Sequence, residues 1–252
     1  MNPLLVTMED NFPMAEAGVH NLKNLSEEFG CDIISMKPNL KAQKAIIRKT
    51  FEKNAKLTYF IDRLIYTYPL LMAVKFNTHL LIYGENVNFE YGGEQSKETY
   101  SAKEQIFNVV ASGIPVSKLL GDNVKVRDLN FFDPPVSSEL NRLDPIYLSY
   151  FLPWNSYGNY IFVRSRGFHD LTHEWKRTHH VEQFDQVDTR GYLVHAWMKY
   201  PKFGHASATD YAARFIRYSL LTRGEAIQLV KEHDHNLDVK ALRDFCQMTG
   251  YK

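Results

Sequence analysis

The spacing of apolar positions changes several times along the chain. Leu4-Leu5-Val6-Thr7 is a short apolar run, and Asp32-Ile33-Ile34-Ser35-Met36 is a second. Between them, Leu22, Leu25 and Phe29 fall on one face of a helix. Asn11 offers an N-cap, Pro13 suits the first turn, and Gly30 marks a stop. This pattern predicts a strand–helix–strand unit with a right-handed parallel crossover. Helical periodicity returns over 39–53 and 59–77. Leu80-Leu81-Ile82-Tyr83 then lacks any polar alternation, which predicts a strand buried on both faces of a parallel sheet.

The pattern weakens over 94–145, where Gly113, Pro115, Gly121, Asp122, Pro134 and Pro135 interrupt it. A helix followed by an irregular insertion is expected there, and long insertions often act as lids. From 146 the chain is rich in aromatics, including Tyr147, Tyr150, Phe151, Trp154, Tyr157, Tyr160 and Phe162. Helices dominate its last part. Thr222 and Glu225 form a capping box, Asp238 caps a final helix, and Gly250 stops it. The predicted class is α/β. A nucleotide-binding-like domain covers 1–93, the insertion 94–145, and a mainly helical substrate or partner region 146–252.

Composition narrows the function classes. With 252 residues, 44% of them hydrophobic, a substantial core is available. A net charge of +1 gives no electrostatic reason to expect nucleic acid or an anionic membrane as partner. Cys31 and Cys246 lie far apart in no metal-ligand spacing, as in a protein of a reducing cytosol. No apolar run is long enough to span a bilayer.

Candidate chemistry falls in four clusters and a scatter of histidines. Gly84-Glu85-Asn86 follows the third strand, and ligands of open α/β sheets bind beyond the carboxyl ends of strands. Gly84 would let the backbone approach a ligand, with Glu85 and Asn86 in the crevice; a tight turn with solvated polar residues is the alternative. Glu90-Tyr91-Gly92-Gly93 comes next. Glu182-Gln183-Phe184-Asp185-Gln186-Val187-Asp188 could supply a general base or position a cation, or be a solvated loop. Lys199, Lys202 and His205 precede a helix start, which suits an anion, while a basic surface loop is the plainer reading. His169 and His173 have the i, i+4 spacing of zinc ligands, and His179-His180 and His233-x-His235 add histidines. No HExxH accompanies them, so structural histidines are expected and no metal ligand is assigned. A GxSxG elbow and the Gly-rich phosphate loops GxGxxG, GxxxxGK[ST] and SGGxDS are all absent from the sequence.

Several of these strings carry a resemblance. They are Pro3-Leu4-Leu5-Val6-Thr7 with Glu9-Asp10-Asn11, Tyr83-Gly84-Glu85-Asn86, Glu90-Tyr91-Gly92-Gly93 and Glu98-Thr99-Tyr100-Ser101-Ala102-Lys103. Asp185-Gln186-Val187-Asp188, Gly191-Tyr192-Leu193-Val194-His195 and Lys199 to His205 complete the set. Together they resemble the N-acetyl sugar amidotransferases of surface-polysaccharide (O-antigen, lipopolysaccharide) biosynthesis. That family is a branch of the PP-loop ATP pyrophosphatases with the adenine-nucleotide α-hydrolase fold, which is Rossmann-like.

The resemblance implies an ATP- and Mg²⁺-dependent reaction. The amide oxygen of an N-acetylamino sugar nucleotide is adenylated with loss of pyrophosphate. Ammonia from a glutaminase, working with a cyclase-like subunit, then displaces AMP and leaves an acetamidino sugar. It further implies that the family's SGGxDS loop and paired cysteines would lie before residue 1, so that the chain is a truncated or split form. By matching strings, Thr7, Asp10, Asn11, Gly84 and Asn86 are expected at the nucleotide. Tyr91, Gly92, Gly93, Asp185 and Asp188 are expected at the substrate, and Glu85, Glu90, Lys202 and His205 in catalysis. A second copy of the chain is a further candidate partner. A non-catalytic module that binds a sugar nucleotide or docks a partner is the alternative reading.

Overall fold

In the computed structural model, β1 (Leu4–Met8) and β2 (Asp32–Met36) pair in parallel, with Leu4 opposite Asp32 and Met8 opposite Met36. The structure describes residues 3–86, 99–107, 113–121 and 123–252. The chain divides into two compact units. The first comprises Met1–Asp10 with Cys31–Asn159, and the second Asn11–Gly30 with Tyr160–Lys252.

In the first unit, α2 (Leu40–Asn54) starts at Asn39, whose side chain accepts from the Ala42 N–H at 3.1 Å. It ends at Ala55 in the left-handed region, with φ of 52°. Helix α3 (Tyr59–Lys75) is apolar nearly all round, with Phe60, Leu64, Leu70 and Thr67 fully buried. It packs on β1 and on β3 (Leu80–Tyr83). Tyr66, Leu70 and Ala73 of α3 join Ile106 and Leu143 in a core that Leu81, Tyr83 and Leu140 line.

β3 pairs in parallel with β4 (Asp144–Tyr147), Tyr83 lying opposite Tyr147. One turn of helix, α4 (Ser137–Leu140), precedes β4, and another, α5 (Leu148–Phe151), follows it. The α/β class and the parallel pairing therefore stand, but β3 is not buried on both faces. Leu80 and Ile82 are 46% and 42% exposed, while Leu81 and Tyr83 face the α3 core. The pair β3–β4 has two strands, and α3 covers only the face on which Leu81 and Tyr83 lie.

The second unit contains α1 (Glu16–Glu27), α7 (Val194–Phe203), α8 (Ser207–Arg217), α9 (Arg223–His233) and α10 (Val239–Thr249). The division between the units falls within α6 (Ser156–Arg164). The last two helices begin as the sequence predicts. Thr222 and Glu225 cap each other's backbone, and Asp238 accepts from the N–H groups of Lys240 and Ala241. Gly250 takes φ of 75° at the end of α10. Helix α10 packs on the 191–193 turn and α9 on α8.

α1 departs from expectation. It starts at Glu16 rather than near Asn11, and a remote carboxylate caps it. Glu174 accepts from the N–H groups of Glu16 and Ala17 at 2.9 and 3.0 Å. A carboxylate beside two free N–H groups at a helix start is favourable for charge as well as hydrogen bonding. Three further polar ties hold α1 against 166–169. His20 Nε2 donates to Gly167 O, Asn24 to Arg166 O, and Asn21 exchanges two bonds with the His169 backbone.

Gly18 of α1 lies directly against the chain at Asp188. A Cβ there would sit 2.6 Å from Asp188 O and 2.7 Å from its Cα. A Cβ on Gly224 of α9 would meet only Thr222 Oγ1 among the described residues, at an ordinary 4.0 Å. Gly18→Ala is expected to cost about 1–3 kcal/mol and lower Tm by several degrees. Gly224→Ala should be neutral or stabilising by up to about 1 kcal/mol. Thermal melting of the two variants checks the pair.

Candidate functional site

In the first unit, the expected nucleotide residues gather at carboxyl ends of parallel strands. Thr7 stands opposite Ser35, whose hydroxyl donates to Glu9 Oε1 at 2.6 Å. Asp10 follows β1, and the fully buried Gln43 donates to its Oδ1 at 3.5 Å. Gly84, Glu85 and Asn86 leave the carboxyl end of β3, Glu85 exposed and Asn86 buried. Among the described residues, a Cβ on Gly84 would meet no atom within 4 Å. Glu90, Tyr91, Gly92 and Gly93 lie outside the described residues.

The second unit is organised around one buried carboxylate. Both oxygens of Glu182 accept from Arg177 Nη2, at 2.8 and 3.0 Å. His180 Nδ1 donates to Oε1 at 2.8 Å, and the N–H groups of Phe184 and Asp185 donate to Oε2 at 2.8 Å. Arg177 in turn donates to the carbonyls of Glu182 and Asp185. Arg177 and Glu182 are 1% and 5% exposed. The carboxylate's lone pairs are all engaged, which offsets its removal from water, while Arg177 Nε has no partner among the described residues.

Histidines surround it. The His179 and His180 rings meet edge to face at 4.3 Å, and neither ring nitrogen of His179 has a hydrogen-bond partner. Burial holds His179 down to about 2, helped by His180 and Arg177. Burial also pushes His180 well below the usual histidine range, with Arg177 adding to it. His195 is lowered to about 4 by burial, against its bond to Tyr192 O. All three are therefore neutral imidazoles at pH 7. Among the described residues no group of three His, Cys, Asp or Glu is placed to hold a metal ion.

The expected substrate carboxylates lie beside this cluster. Burial raises Asp185 to about 6, and the neighbouring Glu182 adds to the rise. Asp188, whose residue is exposed overall, is shifted upward by local desolvation and then by Asp185. A carboxyl near neutrality can exchange a proton at working pH. Gln186, between them, is held at φ of 47°, and its N–H donates to Asp185 Oδ1 at 2.8 Å. Non-glycine residues held there carry about 1–3 kcal/mol of strain and cluster at functional sites.

The anion site expected around Lys199, Lys202 and His205 takes a different form. Lys199 pairs with Asp210, and His205 Nδ1 lies 3.8 Å from the same carboxylate. At the start of α8, Asp234 accepts from Ala206 N–H and Thr209 N–H at 2.9 and 3.0 Å, and from the Thr209 hydroxyl at 2.7 Å. The helix start already holds an anion of the chain's own. Lys202 remains exposed in the last turn of α7, and Asn11 is half-buried at the start of the second unit.

Arg177 is the functional-cluster residue the sequence reading missed. A lone arginine outside any motif gives no sign that it will be buried. The only available signal was the density of ionisable residues between 177 and 188.

Residues 163–252 match the family model of the LPS biosynthesis protein WbpG-like, C-terminal domain. No curated protein matches the chain. The match takes in the whole Arg177–Glu182 cluster and relates this part of the chain to lipopolysaccharide biosynthesis. Among the described residues, no helix is long and apolar enough to cross a membrane.

Glu182→Gln keeps the shape but leaves Arg177 buried without its counter-charge, which should cost about 3–5 kcal/mol in urea unfolding. Pairing it with Arg177→Met should recover much of that loss. The histidines set a pH dependence. His179 and His180 have folded values far below 6.5, so the unfolded chain binds more protons below about pH 6.5. Stability is then present above that pH and falls as pH drops, by up to about 1.4 kcal/mol per pH unit for each histidine. Asp185, raised to about 6, acts in the opposite sense only below that pH. The depressed histidines outnumber the raised carboxyls, so Tm should fall progressively as pH drops below about 6.5, as differential scanning calorimetry would record.

Proposed function

We propose that this chain is the ATP- and sugar-handling component of an amidotransferase in lipopolysaccharide biosynthesis. It converts an N-acetylamino sugar, carried on a nucleotide, into an acetamidino sugar. The observation that carries this reading is the WbpG-like match over 163–252. It takes in three of the strings that carry the resemblance to N-acetyl sugar amidotransferases, Asp185 to Asp188, Gly191 to His195 and Lys199 to His205.

The chemistry requires that the amide oxygen become a leaving group. ATP with Mg²⁺ supplies an adenylyl group to that oxygen, pyrophosphate leaves, and ammonia from a glutaminase with its cyclase-like partner then expels AMP. Hard cations take carboxylate and amide oxygens. Asp10 and Glu85, both just beyond parallel strand ends, fit that donor type, with Thr7, Gly84 and Asn86 beside them. Asp185, raised towards neutrality, suits acceptance of a proton from the attacking nitrogen. Lys202 is an exposed cation suited to phosphate.

One observation supports a second reading, a module that binds a sugar nucleotide or docks a partner without turnover. Asp234 and Asp210 occupy the helix start and the lysine that would otherwise grip an anion.

Pyrophosphate release measured with ATP·Mg²⁺, UDP-N-acetylglucosamine and ammonium chloride separates the two. Sugar-dependent release is expected, and Glu85→Ala and Lys202→Ala should each reduce it at least about a hundredfold, some 2.7 kcal/mol of transition-state stabilisation. Sugar-nucleotide binding with no release would favour the second reading. Near-normal turnover in both variants would remove their assigned roles.

A further inference from the structure

α5 is a single turn that keeps most of its side chains in solvent. Tyr150 and Phe151 are 50% and 56% exposed, and the flanking Leu148 and Leu152 are also open. Tyr100 joins them at 46%. The three rings form a closed trio. Tyr150 meets Phe151 at 5.2 Å and 75°, Tyr100 meets Tyr150 at 6.2 Å and 66°, and Tyr100 meets Phe151 at 6.4 Å and 49°. Exposed apolar patches of this kind mark ligand or partner sites more often than chance.

Its place in the fold narrows the occupant. α5 begins at the carboxyl end of β4, and Gly84-Glu85-Asn86 begins at the carboxyl end of β3. The two strands are parallel neighbours with Tyr83 opposite Tyr147, so these ends lie one inter-strand spacing apart, about 4.8 Å. Tyr147 N–H donates to Tyr100 O at 2.9 Å, and Ser101 bridges Ile146, which ties Tyr100 to the same edge. The patch thus stands where open parallel sheets bind ligands, beside the exposed carboxylate of Glu85.

A pyranose offers matching chemistry: apolar C–H faces for aromatic rings and a rim of hydroxyls for a carboxylate. A nucleobase asks for parallel ring faces, and these three rings are inclined to one another by 49° or more. An acyl chain gains nothing from an adjacent carboxylate.

We propose that Tyr100, Tyr150 and Phe151 form the platform for the pyranose ring of the N-acetylamino sugar, with Glu85 accepting hydrogen bonds from its hydroxyls. This rests on the sugar-handling reading above and adds which side chains hold the ring.

The test titrates the full chain by calorimetry with UDP-N-acetylglucosamine and with UDP. The Tyr150→Ala/Phe151→Ala double variant should weaken the sugar nucleotide at least about tenfold and UDP less than about twofold. Tyr150→Phe should bind as the unaltered chain does, and an unchanged circular dichroism melt establishes that the double variant is folded. Equal losses for UDP and the sugar nucleotide would overturn the proposal in favour of base stacking. Unchanged binding would overturn the platform while leaving the amidotransferase reading intact. Co-sedimentation with phosphatidylethanolamine–phosphatidylglycerol vesicles that the double variant abolishes would overturn it in favour of a lipid surface. Should the unaltered chain bind no sugar nucleotide, the amidotransferase reading fails. Saturation-transfer NMR with free N-acetylglucosamine then decides the platform alone: signals lost in the double variant support it, and their absence from the unaltered chain overturns it.

Discussion

The carboxylate of Glu182 is the constraint on which the second unit depends. It sits out of water and takes hydrogen bonds from a guanidinium, an imidazole and two backbone N–H groups. Those bonds fold residues 177–185 back on themselves, since Arg177 also reaches two carbonyls of the same stretch. A buried pair of this kind adds little net stability compared with apolar residues of equal volume, but losing one member is costly. It acts as a fixed point. Burial lowers His180 and raises Asp185, and the pair adds to each shift, Arg177 to the first and Glu182 to the second.

The same unit uses carboxylates from distant positions to finish its helices. Glu174 closes the start of α1, and Asp234 closes the start of α8. Asp238 caps its own helix and accepts from Thr178 N–H as well. Each satisfies donors that would otherwise need water or a ligand. The consequence for function is direct. These helix starts hold protein carboxylates where a phosphate could otherwise sit.

In the first unit those strand ends are well placed. Both parallel pairs carry polar residues just beyond their carboxyl ends: Glu9 and Asp10 after β1, Glu85 and Asn86 after β3. The β3 edge has in addition an aromatic surface from α5 and Tyr100.

Local pattern was enough to place β1, β2, α2, α3, α9 and α10 from the sequence. Their signals lie within a few residues of one another: apolar runs, helical periodicity, the Thr222–Glu225 box, Asp238 and Gly250. The position of Gly84-Glu85-Asn86 just beyond a strand end was legible for the same reason. β4 was not, because Pro145 breaks its strand pattern and is accommodated only by a two-stranded sheet. Nor was the start of α1, whose cap comes from Glu174, 158 residues away. The burial of Arg177 and Glu182, the neutrality of the histidines and the one-sided burial of β3 also waited on the tertiary structure. Each depends on which side chains meet across long sequence separations, and desolvation is a property of that meeting rather than of any residue alone.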